Sequence, residues 1–177
     1  MQTLTCPIPS NINPLQSNGF LFDILKLPEL KFFCQEVTLP SLDAPAANYE
    51  TPLVNVPIPG EKLTFGEVSV TFMIDENMEN YIALHNWMVG LGFPASHEQY
   101  KNFINSRTDA INPNELLAGY SDGLLQVLNS SNNPTRTIQF VDLFPTGLQQ
   151  ITLQSTTQDT TYLAATASFG YTYYKFV

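Results

Sequence analysis

Residues 67–74 read EVSVTFMI, a clear strand signal from which the rest of the chain can be interpreted. Its apolar and polar side chains alternate without a break, and an alternation of period two places the two sets on opposite faces of a β-strand. We therefore predict a half-buried strand whose polar face meets water or another chain. The apolar set consists of Val68, Val70, Phe72 and Ile74, and the polar set of Glu67, Ser69 and Thr71.

The chain upstream of this strand contains three kinds of segment. Residues 1–18 hold three prolines among Asn and Ser, which is typical of an extended arm. Residues 19–40, GFLFDILKLPELKFFCQEVTLP, predict two strands that are separated near Pro28 and Glu29. Residues 41–63 carry four prolines, which is too many for a central strand because proline cannot donate to the ladder, and they indicate a long loop or an edge hairpin.

The segment that follows the strand predicts a helix. Asp75 or Asn77 is placed to cap its first turn, and Trp87 falls within it, either as an interface anchor or to pack the helix onto the sheet. The helix should end near residues 90–92, ahead of Pro94. Its apolar stripe, at spacings of three and four, consists of Tyr81, Leu84, Met88 and Leu91.

The last third of the chain is rich in strand signals. GLLQVL and TRTIQFVDLF flank the turn-forming residues 129–134 and predict one hairpin. GLQQITLQ and TYLAATASFGYTYYKFV predict a second pair of strands around residues 157–160. In the last strand, Tyr173 is predicted on the face of Ala165, and a small polar face contains Thr166 and Ser168.

Two hairpin-like halves with a helix between them indicate a mainly β fold, a sandwich or barrel. We predict one domain over residues 19–177, preceded by the arm 1–18. Residues 94–122 mix a short helical signal with Asn-Pro and Gly and are predicted to form an elaborated connection inside it.

The composition excludes several classes of function. The chain has 177 residues, of which 7 are Lys or Arg and 16 are Asp or Glu, so its net charge is −9. Nucleic-acid binding is disfavoured because it needs clustered basic residues. No apolar run is long enough to cross a bilayer, and the first residues lack the pattern of an export signal, so we expect a protein that is not exported and does not insert into membranes.

The neutral polar residues also carry information. Charged residues make up 13% of the chain, against about 25% in a typical domain, while Asn contributes 15 positions and Thr 17. A surface that is rich in hydrogen-bonding groups but poor in charge favours extensive contact between subunits.

The sequence holds little that is typical of catalysis or metal binding. His85 and His97 lie twelve positions apart with no further ligand at metal spacing, so we expect no metal, no cofactor and no enzymatic activity. Without an export signal, Cys6 and Cys34 are interpreted as two free thiols.

Three stretches of the sequence together resemble the tail tube proteins of T4-like contractile bacteriophages. The first is FFCQEVTLPSL, similar to a strand of the family that ends in a Leu-Pro turn. The second is VPIPGEKLTFGEVSVTFMIDENMENYIALHNWMVGLG, in which a hairpin tip, an alternating strand and a Trp-bearing helix follow in the family's order. The third is TRTIQFVDLFPTGLQQITLQSTTQDTTYLAATASFGYTYYKFV, in which a Phe-Pro-Thr turn leads to an aromatic last strand.

The resemblance implies a β-sandwich or barrel-like subunit with one flanking helix. Six copies would form a ring in which the sheets join, and stacked rings would form the inner tail tube that conducts double-stranded DNA during genome ejection. The implied partners are other copies of the chain and the sheath, baseplate and tail terminator proteins. The implied location is the phage tail, assembled in the host cytoplasm.

Candidate residues follow for the two surfaces that such a tube needs. The polar face of the alternating strand and the small polar face of the last strand are candidates to line the channel, where excess acid would repel phosphates. The lumen candidates are Glu67, Ser69, Thr71, Thr166 and Ser168. Contacts between subunits or rings are expected from the arm and from the Pro-rich segment 43–62, where the candidates are Pro52, Pro57, Pro59, Glu61 and Lys62.

Two alternatives remain open at this point. A tail tube initiator or baseplate hub component would share the fold but would stop at a single ring. A carbohydrate-binding β-sandwich would instead use exposed aromatic side chains together with loop Asn and Asp.

Overall fold

The computed structural model describes residues 12–92, 94–99, 101, 119–155 and 162–177. The described part of the chain is mainly β, as predicted. The strands are β1 Phe20–Ile24, β2 Cys34–Val37, β3 Leu42–Asp43, β4 Ala46–Glu50, β5 Asn55–Pro59, β6 Thr64–Phe65, β7 Val68–Met73, β8 Ser121–Leu128, β9 Pro134–Leu148, β10 Ala164–Gly170 and β11 Tyr173–Phe176. Two helices lie wholly within the described residues, α1 Leu30–Phe33 and α2 Glu79–Gly92.

Seven of the strands form one sheet path that folds into two layers. The order along the path is β1-β8-β9-β10-β7-β2, and β11 also pairs with β9. The first layer contains β1, β8, the first half of β9 and β11, and the second layer contains the second half of β9, β10, β7 and β2. Within the described residues this path is open rather than closed into a barrel.

The strand β9 passes from one layer to the other at a bend. Asp142 has a φ of 56°, which lies in the left-handed region. The Thr172 backbone N–H donates to the Val141 carbonyl at 3.0 Å, and the Thr172 hydroxyl donates to the Asp142 carboxylate at 3.1 Å. The break between β10 and β11 lies beside this bend. These two strands therefore change layer at the same level as β9.

The core lies between the two layers. The first layer contributes residues from β1, β8 and β9, and the second contributes every other residue of β7 and β10, as the alternation predicted. Burying one such aliphatic or aromatic side chain contributes about 1.5–3 kcal/mol. The residues are Phe22, Ile24, Leu125, Ile138, Phe140 and Leu143 from the first layer, and Val68, Val70, Phe72, Ala165, Ala167 and Phe169 from the second.

Helix α2 packs onto this body through Trp87, which confirms the packing interpretation of that residue. Trp87 is 3% exposed, its ring centroid lies 6.4 Å from that of Phe169, and its Nε1 donates to the Gly119 carbonyl at 3.0 Å. The Asp75 carboxylate accepts from the backbone N–H of Glu79, the first residue of the helix, at 3.4 Å, so it satisfies one first-turn N–H although Met78 rather than Asp75 lies at the N-cap.

The predicted apolar stripe of α2 is partly wrong. Leu84 is buried and Tyr81 and Leu91 pack against the core, whereas Met88 is only half-buried and Asn80 takes a buried place beside the strand that precedes the helix. The Asn80 side-chain amide donates to the Met73 carbonyl at 2.8 Å, and its oxygen accepts from the Asp75 N–H at 3.4 Å. A polar residue takes an inner position here because both of its ends are hydrogen-bonded.

Three predictions for the last third of the chain need correction. The Phe-Pro-Thr segment is no turn, because Phe144 and Pro145 lie inside the continuous strand β9. Only the first two residues of GLQQITLQ belong to that strand, and the predicted turn at 157–160 lies outside the described residues. Tyr173 does not share a face with Ala165, because the interruption before β11 reverses the alternation and leaves Tyr174 opposite Phe140.

The predicted connection 94–122 overlaps a strand. β8 already begins at Ser121, which is buried. Residues 102–118 lie outside the described part of the chain.

Candidate assembly surfaces

The polar side chains of β7 and β10 form one continuous face on the outside of the second layer. The antiparallel register places Ser69 opposite Ser168 and Thr71 opposite Thr166. The two threonine Oγ1 atoms lie 3.2 Å apart and form a hydrogen bond. All four side chains are half-buried, so four of the five predicted lumen candidates lie together on one small hydroxyl surface, which we call the hydroxyl face.

Glu67, the fifth candidate, lies just outside the strand. β7 begins at Val68, and Glu67 precedes it as an exposed residue. A second carboxylate, which sequence reasoning missed, is Glu36 on β2, which pairs opposite Thr71. A register shift between Cys34 and Glu36 turns this side chain to the hydroxyl face, and no sequence signal marks such a bulge.

The hydroxyl face therefore carries acid without base. No Lys or Arg occurs in β2, β7, β10 or the second half of β9. Its chemistry consists of short hydroxyls with carboxylates at the margin, which gives a negative potential and no strong contact for a phosphate.

The second layer has two open edges. Among the residues that the structure describes, β2 pairs only with β7, and β9 from Phe144 onward pairs only with β10. Open edges present unpaired backbone N–H and C=O groups and are templates for pairing with another chain.

A two-part ribbon projects from the second layer between β2 and β7. Its base is the β3–β6 pair, and its outer part is the β4–β5 hairpin, which settles the choice between a loop and a hairpin. The Gly60 N–H donates to the Pro45 carbonyl at 2.7 Å, and a Cβ at Gly60 would lie 2.3 Å from that oxygen, so glycine permits this close approach.

The base of the ribbon is held to the body by aromatic contacts. The Phe65 ring centroid lies 6.0 Å from that of Tyr171 and 5.6 Å from that of Tyr174, both in edge-on geometry. Burial, and then the neighbouring Tyr174, raise the pKa of Tyr171 to about 12, so this phenol stays neutral in the cluster.

Every residue of the strands β4 and β5 is exposed, and the hairpin that they form has two chemically different faces. The pairs Ala47–Ile58 and Tyr49–Val56 share one face, and the pairs Asn48–Pro57 and Ala46–Pro59 share the other. The first set forms an exposed apolar surface, which we call the apolar hairpin face. Sequence reasoning missed this face because it followed the prolines rather than the alternation.

The predicted contact residues all lie on this ribbon and are exposed. Pro57 and Pro59 lie on the face opposite the apolar one, Pro52 lies in the hairpin turn, and Glu61 and Lys62 follow β5. The turn is closed by the Thr51 hydroxyl, which donates to the Val54 carbonyl.

The remaining reactive groups have structural surroundings. Cys34 carries a free thiol, and burial raises the pKa of this thiol to about 11, which keeps it unreactive near neutral pH. Cys6 lies outside the described residues. His85 is exposed on α2. In the described ranges, no three His, Cys, Asp or Glu side chains group as metal ligands would. No helix in the described part has the length and hydropathy needed to span a membrane.

The described residues form a β-sandwich with a hydroxyl face, two open edges and a projecting ribbon. The model of the phage tail tube protein family matches residues 5–177, so the chain belongs to that family. This is a family of structural proteins rather than enzymes. Comparison with curated protein sequences gives no match.

Solved structures with the same fold come from contractile injection systems. A chain of the sheath-tube complex of the extracellular contractile injection system PVC, in its extended state, aligns with a TM-score of 0.57 and 12% identity over 94% of this chain and 93% of that one. A chain of the anti-feeding prophage baseplate aligns with a TM-score of 0.59 and 14% identity over 94% and 97%. A chain of the anti-feeding prophage tube-terminating cap aligns with a TM-score of 0.59 and 11% identity over 99% of each chain.

Proposed function

We propose that six copies of this chain form a ring, that rings stack into the inner tail tube of a phage, and that the bore conducts double-stranded DNA. The observation that carries the proposal is the hydroxyl face, which lies on a four-stranded layer with an open edge on each side. The bent strand β9 exposes one of these edges, and β2 exposes the other.

The directions of the strands favour closure into a ring. The four strands of the second layer are antiparallel throughout, so the two edge strands run in opposite directions. Rotation about a ring axis brings β2 of one copy beside β9 of the next in antiparallel orientation. Such a heterologous contact, repeated around a closed ring, pairs every open edge and removes the risk of uncontrolled aggregation.

The size of the resulting barrel is compatible with a channel. Four strands per copy and six copies, spaced by about 4.8 Å, give a backbone circle roughly 37 Å across before strand tilt widens it. Barrels of about 16–18 strands already enclose an aqueous channel. Side chains as short as Ser69 and Thr166 would narrow this bore very little.

The electrostatics favour passage of DNA over binding. Glu36 and Glu67 would recur around the bore in every ring, and no Lys or Arg of β2, β7, β10 or the second half of β9 would neutralise them. Phosphates would therefore meet repulsion, which is screened over about 8–10 Å at physiological salt and keeps the duplex from adhering to the wall.

Contacts between rings are assigned to the projecting ribbon, residues 43–62, and to the arm, residues 1–18. We expect that deletion of residues 1–15 leaves single rings or free subunits that do not polymerise. Normal tubes from that deletion would remove the arm from the proposal.

The tube's partners follow from the same assignment. The sheath would surround the outside of the tube, and a baseplate and a terminator would close its two ends. The structural relatives come from sheath-tube, baseplate and cap assemblies, which supports these contacts. The assembled protein would reside in the phage tail after assembly in the host cytoplasm.

Electron microscopy of the purified protein at rising concentration tests the proposal. We expect six-fold rings and then hollow filaments without a length limit. A second function, the tube initiator, is favoured by the baseplate relative and would give rings that never lengthen. Particles with neither rings nor filaments at any concentration would contradict both.

Charge reversal tests the lumen. In phage assembled with Glu36→Lys or Glu67→Lys, rings should form normally and DNA ejection should slow, because a cationic ring holds phosphates. Glu76→Lys, an exposed reversal beside α2, is the matched control and should leave ejection unchanged. Unchanged ejection kinetics with intact tubes in both lumen variants would show that these carboxylates lie away from the bore.

A further inference from the structure

Three consecutive residues at the junction of β10 and β11 contact three different parts of the molecule. Gly170 pairs opposite Phe144, the first residue of the half of β9 whose other edge is open among the described residues. Tyr171 meets the ribbon base through Phe65, and Thr172 is hydrogen-bonded to the bend of β9. The junction therefore connects the ribbon to an open edge within one short segment.

The contact between the junction and the open edge is close. A Cβ at Gly170 would lie 2.8 Å from Cζ of Phe144, so the aromatic ring lies directly over the glycine backbone. Tyr120 contacts the same ring edge-on, at a centroid distance of 5.5 Å. Because closely packed groups transmit displacements, a shift of the junction moves the start of the open edge.

The bend sets the direction in which the open edge continues. It depends on Asp142, whose left-handed backbone conformation costs energy in a residue with a side chain, and on the two hydrogen bonds that Thr172 donates. Thr172 directly follows Tyr171 in the chain. The position of the Tyr171 ring and the geometry of the bend are therefore linked.

The Tyr171 side chain is held in an unfavourable place. Its ring centroid lies 6.0 Å from that of Phe65, 5.3 Å from that of Phe140 and 6.3 Å from that of Tyr174. Among the residues that the structure describes, its hydroxyl oxygen is buried and has no hydrogen-bond partner. Such a group costs free energy, and the left-handed Asp142 is a second cost at the same corner. Costly features of this kind persist where the surrounding structure holds them in place, and they cluster at functional sites.

We infer that the ribbon base positions the open edge of β9 for ring closure. Phe65, seated on Tyr171, holds the bend at Asp142 in the geometry that presents this edge to the next copy. Phe65 is a positioning residue, since it belongs to β6 and to neither open edge. This coupling rests on the proposed ring, and it acts within one chain whatever the ribbon contacts outside it. Linkage makes it reciprocal, so a subunit whose ribbon base is held in its seat closes rings more readily.

Truncation of the Phe65 ring tests the role in ring closure. Phe65→Ala should leave the subunit folded and raise the concentration needed for rings by about tenfold, because two aromatic contacts are lost from the seat. Sedimentation and negative-stain microscopy measure this concentration. Phe65→Leu keeps apolar bulk and should shift it in the same direction by about threefold, which covers the case in which the alanine variant does not fold.

A second aromatic residue provides the matched control. The Phe176 ring contacts Tyr174 at a centroid distance of 5.9 Å, but it belongs to β11 rather than to the ribbon. Phe176→Ala should therefore form rings at the wild-type concentration. An equal effect of Phe65→Ala and Phe176→Ala would show that the cluster matters only as a whole, which would overturn the role of the ribbon base.

Hydrogen exchange in the free subunit tests the route through the bend. The Thr172 N–H donates to the Val141 carbonyl, and Phe65→Ala should speed exchange of this amide by about tenfold. The Ile74 N–H donates to the Leu163 carbonyl at 2.8 Å, at the other end of β7 and β10, and should exchange at the wild-type rate. Equal acceleration of both amides would indicate a general loss of stability and would contradict a local route.

A double variant tests whether seat and bend act together. Asp142→Ala disturbs the bend directly. Adding Phe65→Ala to it should raise the ring-forming concentration by less than the product of the two single effects, because both changes act on the same bend. The full product would show that the two residues act independently.

The outcomes separate this coupling from the proposed function. If wild type forms rings and both Phe65 variants do so at the same concentration, the coupling is refuted and the tube stands. If wild type forms neither rings nor filaments, the tube is refuted, and the role of Phe65 in closing it falls whatever the exchange rates are.

Discussion

In β7 and in the β4–β5 hairpin, apolar and polar side chains alternate along the strand, but the apolar sides meet opposite surroundings. Val68, Val70 and Phe72 are fully buried against the other layer. Tyr49 and Val56 follow the same alternation and remain exposed. The difference shows that alternation specifies a strand with one apolar face but does not specify whether the same chain covers that face.

The largest effect on the free energy of unfolding is expected in the core between the two layers, where Phe140 lies among other aromatic side chains. Phe140 is fully buried, and its ring centroid lies 6.4 Å from that of Phe22 and 5.3 Å from that of Tyr171. Phe140→Ala should lower the free energy of unfolding by about 3–5 kcal/mol, because it leaves a cavity between the layers. Chemical denaturation of the unassembled protein measures the loss.

The same substitution at an exposed phenylalanine gives the comparison. Phe32→Ala should change the free energy of unfolding by less than about 0.5 kcal/mol, because Phe32 is 86% exposed. Similar losses for the two variants would show that burial in the free subunit does not distinguish Phe140 from Phe32.

A smaller effect is expected at the bend that joins the two layers. Asp142→Ala should cost about 1–2 kcal/mol, because alanine is strained at a φ of 56° and cannot accept from the Thr172 hydroxyl. Asp142→Gly should cost less, since glycine adopts this conformation without strain. Thermal or chemical unfolding of both variants measures the difference, and equal costs would assign the whole effect to the lost hydrogen bond.

The sequence predicted those parts of the fold in which the side chains follow a regular pattern and their apolar side is buried by the chain itself. The alternation gave β7 with its correct faces, and the resulting face placed Ser69 and Thr71 opposite their partners on β10. The mainly β class, the helix α2 and the β8–β9 hairpin were predicted for the same reason, because period and turn residues are local signals.

The failures arose where tertiary contacts change a local rule. Proline indicated a break in the last third of the chain, yet Pro145 lies inside β9. That half of β9 pairs on one side only, and a register shift lies beside Pro145. The missing N–H of the proline therefore leaves no gap in a two-sided ladder. Glu36 reached the hydroxyl face through a bulge that no residue type marks. Asn80 is buried because partners distant in the helix pattern satisfy it.

The smallest effect is expected on the apolar hairpin face of the free subunit. Tyr49→Ser should change the free energy of unfolding by no more than about 0.5 kcal/mol, because the ring is already 62% exposed and unfolding gives it little new contact with water. Chemical denaturation below the concentration of ring formation is the measurement, and Asn48→Ser provides the control on the other face. A loss above 1 kcal/mol would mean that the hairpin already has its cover within one chain. A negligible loss in the free subunit, together with failure to stack, would assign the apolar side of this hairpin to a neighbouring molecule, as burial assigns that of β7 to its own core.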